Sequence, residues 1–181
     1  FEVRYEFKAR NPISTDWKYI DRICKNGLGK GELGVCIAST GSGKSMALVH
    51  LGTAALKAGK NVVHYTMELS DKVIGLRYDS CISGVPLNDL HNLKDRVRES
   101  CLEVEGELFI KEYPTKSASP QTLSKSLEKL TKLGHKVDLI IVDYADLLKP
   151  SCAFREKRNE LESIYEELRG IAQENDCPIW T

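Results

Sequence analysis

Short apolar runs alternate with longer runs of helical spacing through most of this 181-residue chain. Leu33-Gly34-Val35-Cys36-Ile37 reads as a buried strand. It leads through a glycine-rich turn into a helical run from Met46 to Lys57. That run is apolar nearly all round (Ala47, Leu48, Val49, Leu51, Ala54, Ala55, Leu56), as expected of a helix buried against a sheet, with Gly59 as its stop. Asn61 to Met67 predicts a second strand, and Ser70 then caps a helix carrying Val73, Ile74 and Tyr78. Val85 to Val104 is helical in character but less regular, and Leu108-Phe109-Ile110 predicts a third strand. Ser119 followed by Pro120 is an N-cap with proline at the first helical position; Leu123, Leu127 and Leu130 mark the helix, which ends at Gly134. Val137 to Val142 is a buried strand broken only by Asp138. Leu161, Ile164, Tyr165, Leu168 and Ile171 define an amphipathic helix, and Pro178-Ile179-Trp180 begins a last strand.

The start of the chain has a different period. Phe1, Val3, Tyr5 and Phe7 alternate with Glu2, Arg4, Glu6 and Lys8, the pattern of a half-buried strand. Asn11-Pro12 breaks it, so residues 1–12 are expected to form an arm or linker before one domain over 13–181. Ile13 to Cys24 predicts a short helix capped by Ser14 or Thr15, with Trp17, Ile20 and Ile23 on one face. Gly27, Gly29 and Gly31 form a turn into the first core strand. Strands alternating with helices predict an α/β fold, a mostly parallel sheet covered on both faces. In such sheets ligands bind at the carboxyl ends of strands.

Composition narrows the setting. Lys and Arg number 26, as do Asp and Glu, so no bulk positive charge points to nucleic acid. No apolar run approaches a membrane span, and no secretory signal opens the chain. The six cysteines (24, 36, 81, 101, 152, 177) are scattered without a C-x-x-C pair, the usage of reduced intracellular thiols. His50, His64, His91 and His135 lack ligand spacing. The first residue is not Met and Thr181 falls within an apolar stretch, so the sequence reads as a piece of something longer, its sheet lacking later strands.

The chemistry centres on Ala38-Ser39-Thr40-Gly41-Ser42-Gly43-Lys44-Ser45, between the first strand and the Met46 helix. Gly41 and Gly43 allow the backbone to approach an anion and to adopt dihedrals closed to other residues. Successive N–H groups from Ser39 to Met46, with the positive end of the following helix, then cradle phosphates. Lys44 supplies a cation for the β- and γ-phosphates of ATP, and Ser45 a hydroxyl for Mg²⁺. The usual pattern begins with Gly, where this chain has Ala38.

Two carboxylates accompany this loop. Leu139-Ile140-Ile141-Val142 buries a strand from which Asp143 emerges. Asp143 could hold the water shell of Mg²⁺, or simply cap the strand end. Glu68, in His64-Tyr65-Thr66-Met67-Glu68-Leu69-Ser70, follows the second strand. It could polarise an attacking water, or serve as a first-turn carboxylate favoured by the next helix's dipole. Arg77 could pair with Glu68 or approach a base, and equally could be a structural partner on its helix. Lys149, Arg155, Lys157 and Arg158 form a basic segment that reads first as solvated surface.

Taken together, Gly29-Lys30-Gly31-Glu32-Leu33-Gly34 through Ser45, His64 to Ser70 with Arg77, and Leu139 to Tyr144 resemble the ATPase domain of DnaB-type replicative helicases, in the RecA-like P-loop superfamily. Those loops often carry Ala where others begin with Gly. The resemblance covers residue 14 to the end. It implies Glu68 as catalytic carboxylate, Lys44 and Ser45 on phosphate and Mg²⁺, and Asp143 on the metal shell. It implies that the strand near Ile179 inserts between those of Val35 and Ile141. It also implies a cytoplasmic ATP hydrolase of a bacterial or phage-infected cell, a hexameric homo-oligomer acting on single-stranded DNA. The family's sensor, DNA-binding loops and arginine finger would follow Thr181. Tyr144-Ala145-Asp146 departs from the pattern, since the family commonly carries an amide there. Rival readings are a RadA- or KaiC-like ATPase, a small-molecule kinase on a P-loop scaffold, and a nucleotide-dependent switch.

Overall fold

The computed structural model describes residues 10–152 and 155–181. The alternating segment Phe1–Phe7 lies outside the described residues. Eleven elements follow in order: α1 (Lys18–Ile23), β1 (Leu33–Gly34), α2 (Lys44–Lys57), β2 (Val62–Thr66), α3 (Asp71–Ser83), α4 (Lys94–Leu102), β3 (Leu108–Glu112), α5 (Pro120–Lys132), β4 (Leu139–Asp143), α6 (Lys157–Glu174) and β5 (Ile179–Trp180).

The strands form a five-stranded sheet in the order β1-β5-β4-β2-β3. Every pairing is parallel. β5 lies between β1 and β4, the insertion that the family resemblance implies. Successive side chains leave opposite faces of a strand. Val63, Tyr65, Ile140, Val142 and Ile179 therefore pack in one core with Leu123 and Leu127 of α5 and Ile164 and Leu168 of α6. Val62, Leu139, Ile141 and Trp180 pack in a second core with Leu48, Leu51 and Leu56 of α2 and Ile74 and Tyr78 of α3. Burial on both faces is why β2 and β4 read as unbroken apolar runs.

Two predicted caps form as the residues dictate. The Ser70 hydroxyl accepts from the Val73 amide, and Ser119 forms a reciprocal capping box with Thr122 ahead of Pro120. The amino-terminal reading needs correction. The predicted Ile13–Cys24 helix spans only Lys18–Ile23, with no side-chain cap and no buried residue. Ser14 and Thr15 donate instead to the Asp21 carboxylate, at 2.6 and 2.8 Å. Ile13 pairs with Leu28 in an antiparallel bridge, Trp17 stacks on His50 with ring centroids 4.4 Å apart, and Ile23 is exposed. Arg10 fastens this segment down. Its guanidinium meets Glu32 at 2.6 and 2.7 Å and donates to the carbonyls of Cys24, Lys25 and Gly27. The Val85–Val104 run is a 3-10 turn at Leu87–Asp89 followed by α4. The first strand is shorter than its apolar run: the regular strand covers Leu33 and Gly34, one further bond joins the Cys36 amide to the Thr181 carbonyl at 2.7 Å, and Ile37 is 92% exposed. Val35-Cys36-Ile37 sits at the sheet margin, and an apolar run there signals more burial than the margin provides.

α2 is seated by close contact. A Cβ on Gly52 would fall 2.1 Å from the Tyr78 hydroxyl and 2.9 Å from Ile141 Cδ1. Tyr78 cannot easily yield, because its hydroxyl is hydrogen-bonded to His64 Nδ1 at 3.0 Å inside the core. Gly52→Ala should therefore destabilise the fold by about 1–3 kcal/mol, the usual cost of overpacking. Denaturant unfolding checks this, and an unchanged midpoint would mean that α2 is loosely seated. His64 itself is fully buried, and burial lowers its pKa to about 3. In the unfolded chain it titrates near ~6.5. As pH falls below that value the unfolded state binds the proton first, so stability declines between about pH 6.5 and about pH 3. The decline approaches ~1.4 kcal/mol per pH unit. His64→Gln should flatten that slope; an equally steep slope in the variant would assign the acid sensitivity elsewhere.

Candidate functional site

The parallel register brings the strand ends together. Thr66 at the end of β2 is opposite Asp143 at the end of β4. The Met67 amide continues the ladder with a 2.9 Å bond to the Asp143 carbonyl, which holds the start of the Glu68 loop against β4. Between β1 and α2 the loop over 38–43 is exposed. Gly41 and Gly43 take φ of 78° and 94°, and Gly43 is the N-cap of α2. An added Cβ at either would meet no atom within 4 Å, so their requirement for glycine is conformational. α2 has no side-chain cap, which leaves its first N–H groups for a ligand or solvent.

A cavity of about 310 Å³ opens at this point. Ser39, Thr40, Gly41, Gly43, Lys44, Ser45 and Met46 line one side, and Glu68, Leu69, Arg77 and Tyr144 the other. The structure thus brings together nearly every residue singled out in the sequence. Within Ser39–Met46 Ser42 is the exception, absent from the cavity lining, with both its amide and its hydroxyl bonded back to the Ser39 carbonyl. Asp143 is not on the lining either. Arg77 shares the cavity with Glu68, and among the described residues no ion pair joins the two. A larger cleft of about 790 Å³, lined by Lys60, Lys136, Asp138 and Pro178 among others, lies at the amino ends of the strands, away from these groups.

Asp143 is fully buried, and neither carboxylate oxygen has a hydrogen-bond partner. Burial raises its pKa. The Ser45 hydroxyl, close by but outside hydrogen-bonding geometry, opposes this, Glu68 adds to it, and the Arg77 and Lys44 charges counter it. A buried carboxylate left bare is costly, and a cation next to it removes the cost. Asp143 with the neighbouring Ser45 hydroxyl therefore suits Mg²⁺, a hard cation that prefers oxygen ligands and retains water. Among the described residues no group of three His, Cys, Asp or Glu could hold a metal alone, so an ion here would complete its shell with water or ligand oxygens. Sequence reasoning did not anticipate the role of Tyr144 as a cavity wall. The Lys44 ammonium lies 4.1 Å from the centre of its ring. Its place directly after the strand-end Asp143 was the available signal. Asp146 accepts a 2.8 Å hydrogen bond from the Tyr165 hydroxyl.

The family model described as the DnaB-like helicase C terminal domain matches residues 12–181. The chain belongs to this family. It is 31% identical over 192 residues to the DnaB-like replicative helicase of Enterobacteria phage T4, matching 99% of this chain and 40% of that protein. It is 24% identical over 172 residues to the replicative DNA helicase DnaB of Helicobacter pylori strain 26695, matching 92% of this chain and 35% of that protein. The chain thus spans less than half the length of these relatives. Among solved structures it resembles one described as an ATPase domain, with a TM-score of 0.77 at 14% identity, covering 99% of this chain and 66% of that one. A DnaB-like replicative helicase described with its primase interactions matches with a TM-score of 0.78 at 14% identity, covering 99% and 44%. These likenesses place the fold as RecA-like. Among the described residues no helix is long and apolar enough to cross a membrane.

The bare Asp143 carboxylate makes a prediction that separates its two sequence readings. If it serves a cation, Asp143→Asn should raise the stability of the ligand-free protein by about 1 kcal/mol or more, because the uncompensated charge is gone. The magnesium dependence of nucleotide affinity should fall at the same time. Thermal unfolding without ligand, and calorimetry with and without magnesium, check both. A loss of ligand-free stability would identify Asp143 as a structural strand cap.

Proposed function

We propose that this chain is the ATP-binding and ATP-hydrolysing motor domain of a replicative DNA helicase. The observation that carries the reading is the single cavity in which the phosphate loop, Glu68 and Arg77 meet beside buried Asp143. Family membership supports the same reading.

Each residue then has a physical task. The Ser39–Met46 loop and the uncapped start of α2 direct N–H groups at the phosphates. Lys44 neutralises charge on the β- and γ-phosphates. Ser45 and Asp143 hold Mg²⁺, directly or through water. When bound, that ion neutralises charge that builds on the phosphate oxygens. Glu68 is exposed at the cavity wall, where water is available, and accepts a proton from the attacking water as it adds in line to the γ-phosphate. Arg77 adds a second fixed cation to the wall. The remaining positive charge in such ring ATPases comes from a neighbouring subunit, worth ~10³–10⁵ in rate. We extend the reading to a homo-oligomeric, hexameric ring that moves on single-stranded DNA in the cytoplasm of a bacterial or phage-infected cell.

Two substitutions test the assignment in the intact protein. Lys44→Ala should remove most of the ATP affinity measured by calorimetry; retained affinity would remove the phosphate-loop assignment. Glu68→Gln keeps size and polarity but cannot accept the proton. It should bind ATP normally and lose about two decades or more of single-stranded-DNA-stimulated phosphate release. Near-normal turnover would leave Glu68 as a helix-start carboxylate. Transfer of phosphate to an acceptor, rather than to water, would favour the kinase reading.

A further inference from the structure

Lys44 lies on the boundary between two cavities. One is the phosphate cavity already described; the other, of about 380 Å³, is lined by Cys36, Ala38, Asp146, Leu161 and Tyr165 among others. Among the described residues Lys44 and Tyr144 alone line both. The Lys44 ammonium stands over the Tyr144 ring, 4.1 Å from its centre. That distance is well within the range of a cation–π contact, in which the negative face of an aromatic ring attracts a cation. Tyr144 is itself half-buried. The Tyr144 backbone directly follows β4, whereas the lysine is a long, flexible chain.

We propose that Tyr144 is a positioning residue that holds the Lys44 ammonium in the nucleotide-free protein and releases it to the phosphates on binding. The inference rests on the phosphate-loop reading of Lys44. The consequence is a threshold. Nucleotide must draw the ammonium off the ring before Lys44 can make its charge-assisted contacts, so part of the attraction between lysine and phosphate is spent on that exchange. A ring that attracts the cation less should give tighter nucleotide binding, while loss of the phenol oxygen alone should change little.

Calorimetric titration of the intact protein with the non-hydrolysable ATP analogue AMP-PNP and with ADP tests this. Tyr144→Phe should bind as the unsubstituted protein does. Tyr144→Leu should bind roughly two- to five-fold more tightly, the equivalent of one partly exposed cation–π contact. A graded series of fluorinated phenylalanines at position 144 guards against misfolding. Fluorination withdraws charge from the ring face with little change in shape, so affinity should climb with each added fluorine. Unchanged or weaker binding across the fluorinated series overturns the proposal, whatever the leucine variant does. No binding by the unsubstituted protein would instead remove the phosphate-loop reading, and this inference with it.

Discussion

The parallel register of β2 on β4 is the constraint on which the site depends. It sets Thr66 opposite Asp143, and the Met67 amide adds one more rung to the Asp143 carbonyl. A slip of one residue would exchange the side chains of the two cores, so the fit of each set against its own helices, rather than any apolar–polar alternation, defends the alignment. The chemistry inherits that defence. Glu68 and Asp143 arrive at one edge of the sheet because Val62 to Thr66 and Leu139 to Asp143 are buried throughout. α2 is held against the same sheet by the Gly52–Tyr78–Ile141 contact, which brings Lys44 and Ser45 to that edge.

The stability of the site and its function pull in different directions. A carboxylate without a partner in the core and a helix without a side-chain cap both weaken the free protein. Each is a group left open for something anionic or cationic to complete. The surrounding frame offsets them with well-satisfied features: the Ser119–Thr122 capping box, the Ser70 cap and the bidentate Arg10–Glu32 pair. A bound ligand therefore stabilises this domain through the same groups that destabilise it when empty.

Where sequence was a good guide, a strong local rule agreed with its surroundings. The positive φ of Gly41 and Gly43, the Ser70 and Ser119 caps and the doubly buried strands are such cases. The failures have physical causes. Ser14 and Thr15 are good helix caps in isolation, but Asp21 takes both hydroxyls and shortens α1. Val35 and Ile37 belong to a run with the composition of a buried strand, yet both are exposed, and only Cys36 between them packs against the core. Ser42 sits within the loop pattern, yet its hydrogen bonds return to Ser39. The Lys44–Tyr144 contact joins residues a hundred positions apart, and no periodicity encodes it.

The place of β5 bears on how the chain matures. Among the described strands it comes latest in sequence, and it sits between β1 and β4. Until it arrives, the strand that leads into the phosphate loop has no neighbour in the ladder. The ion pair beside this junction, Lys30 with Asp176, joins residues 146 positions apart. During synthesis β1 must therefore wait for the segment near Trp180 to leave the ribosome before it can pair. Such late closure raises contact order, and with it the time a nascent chain spends exposing apolar edges to chaperones and to its own kind.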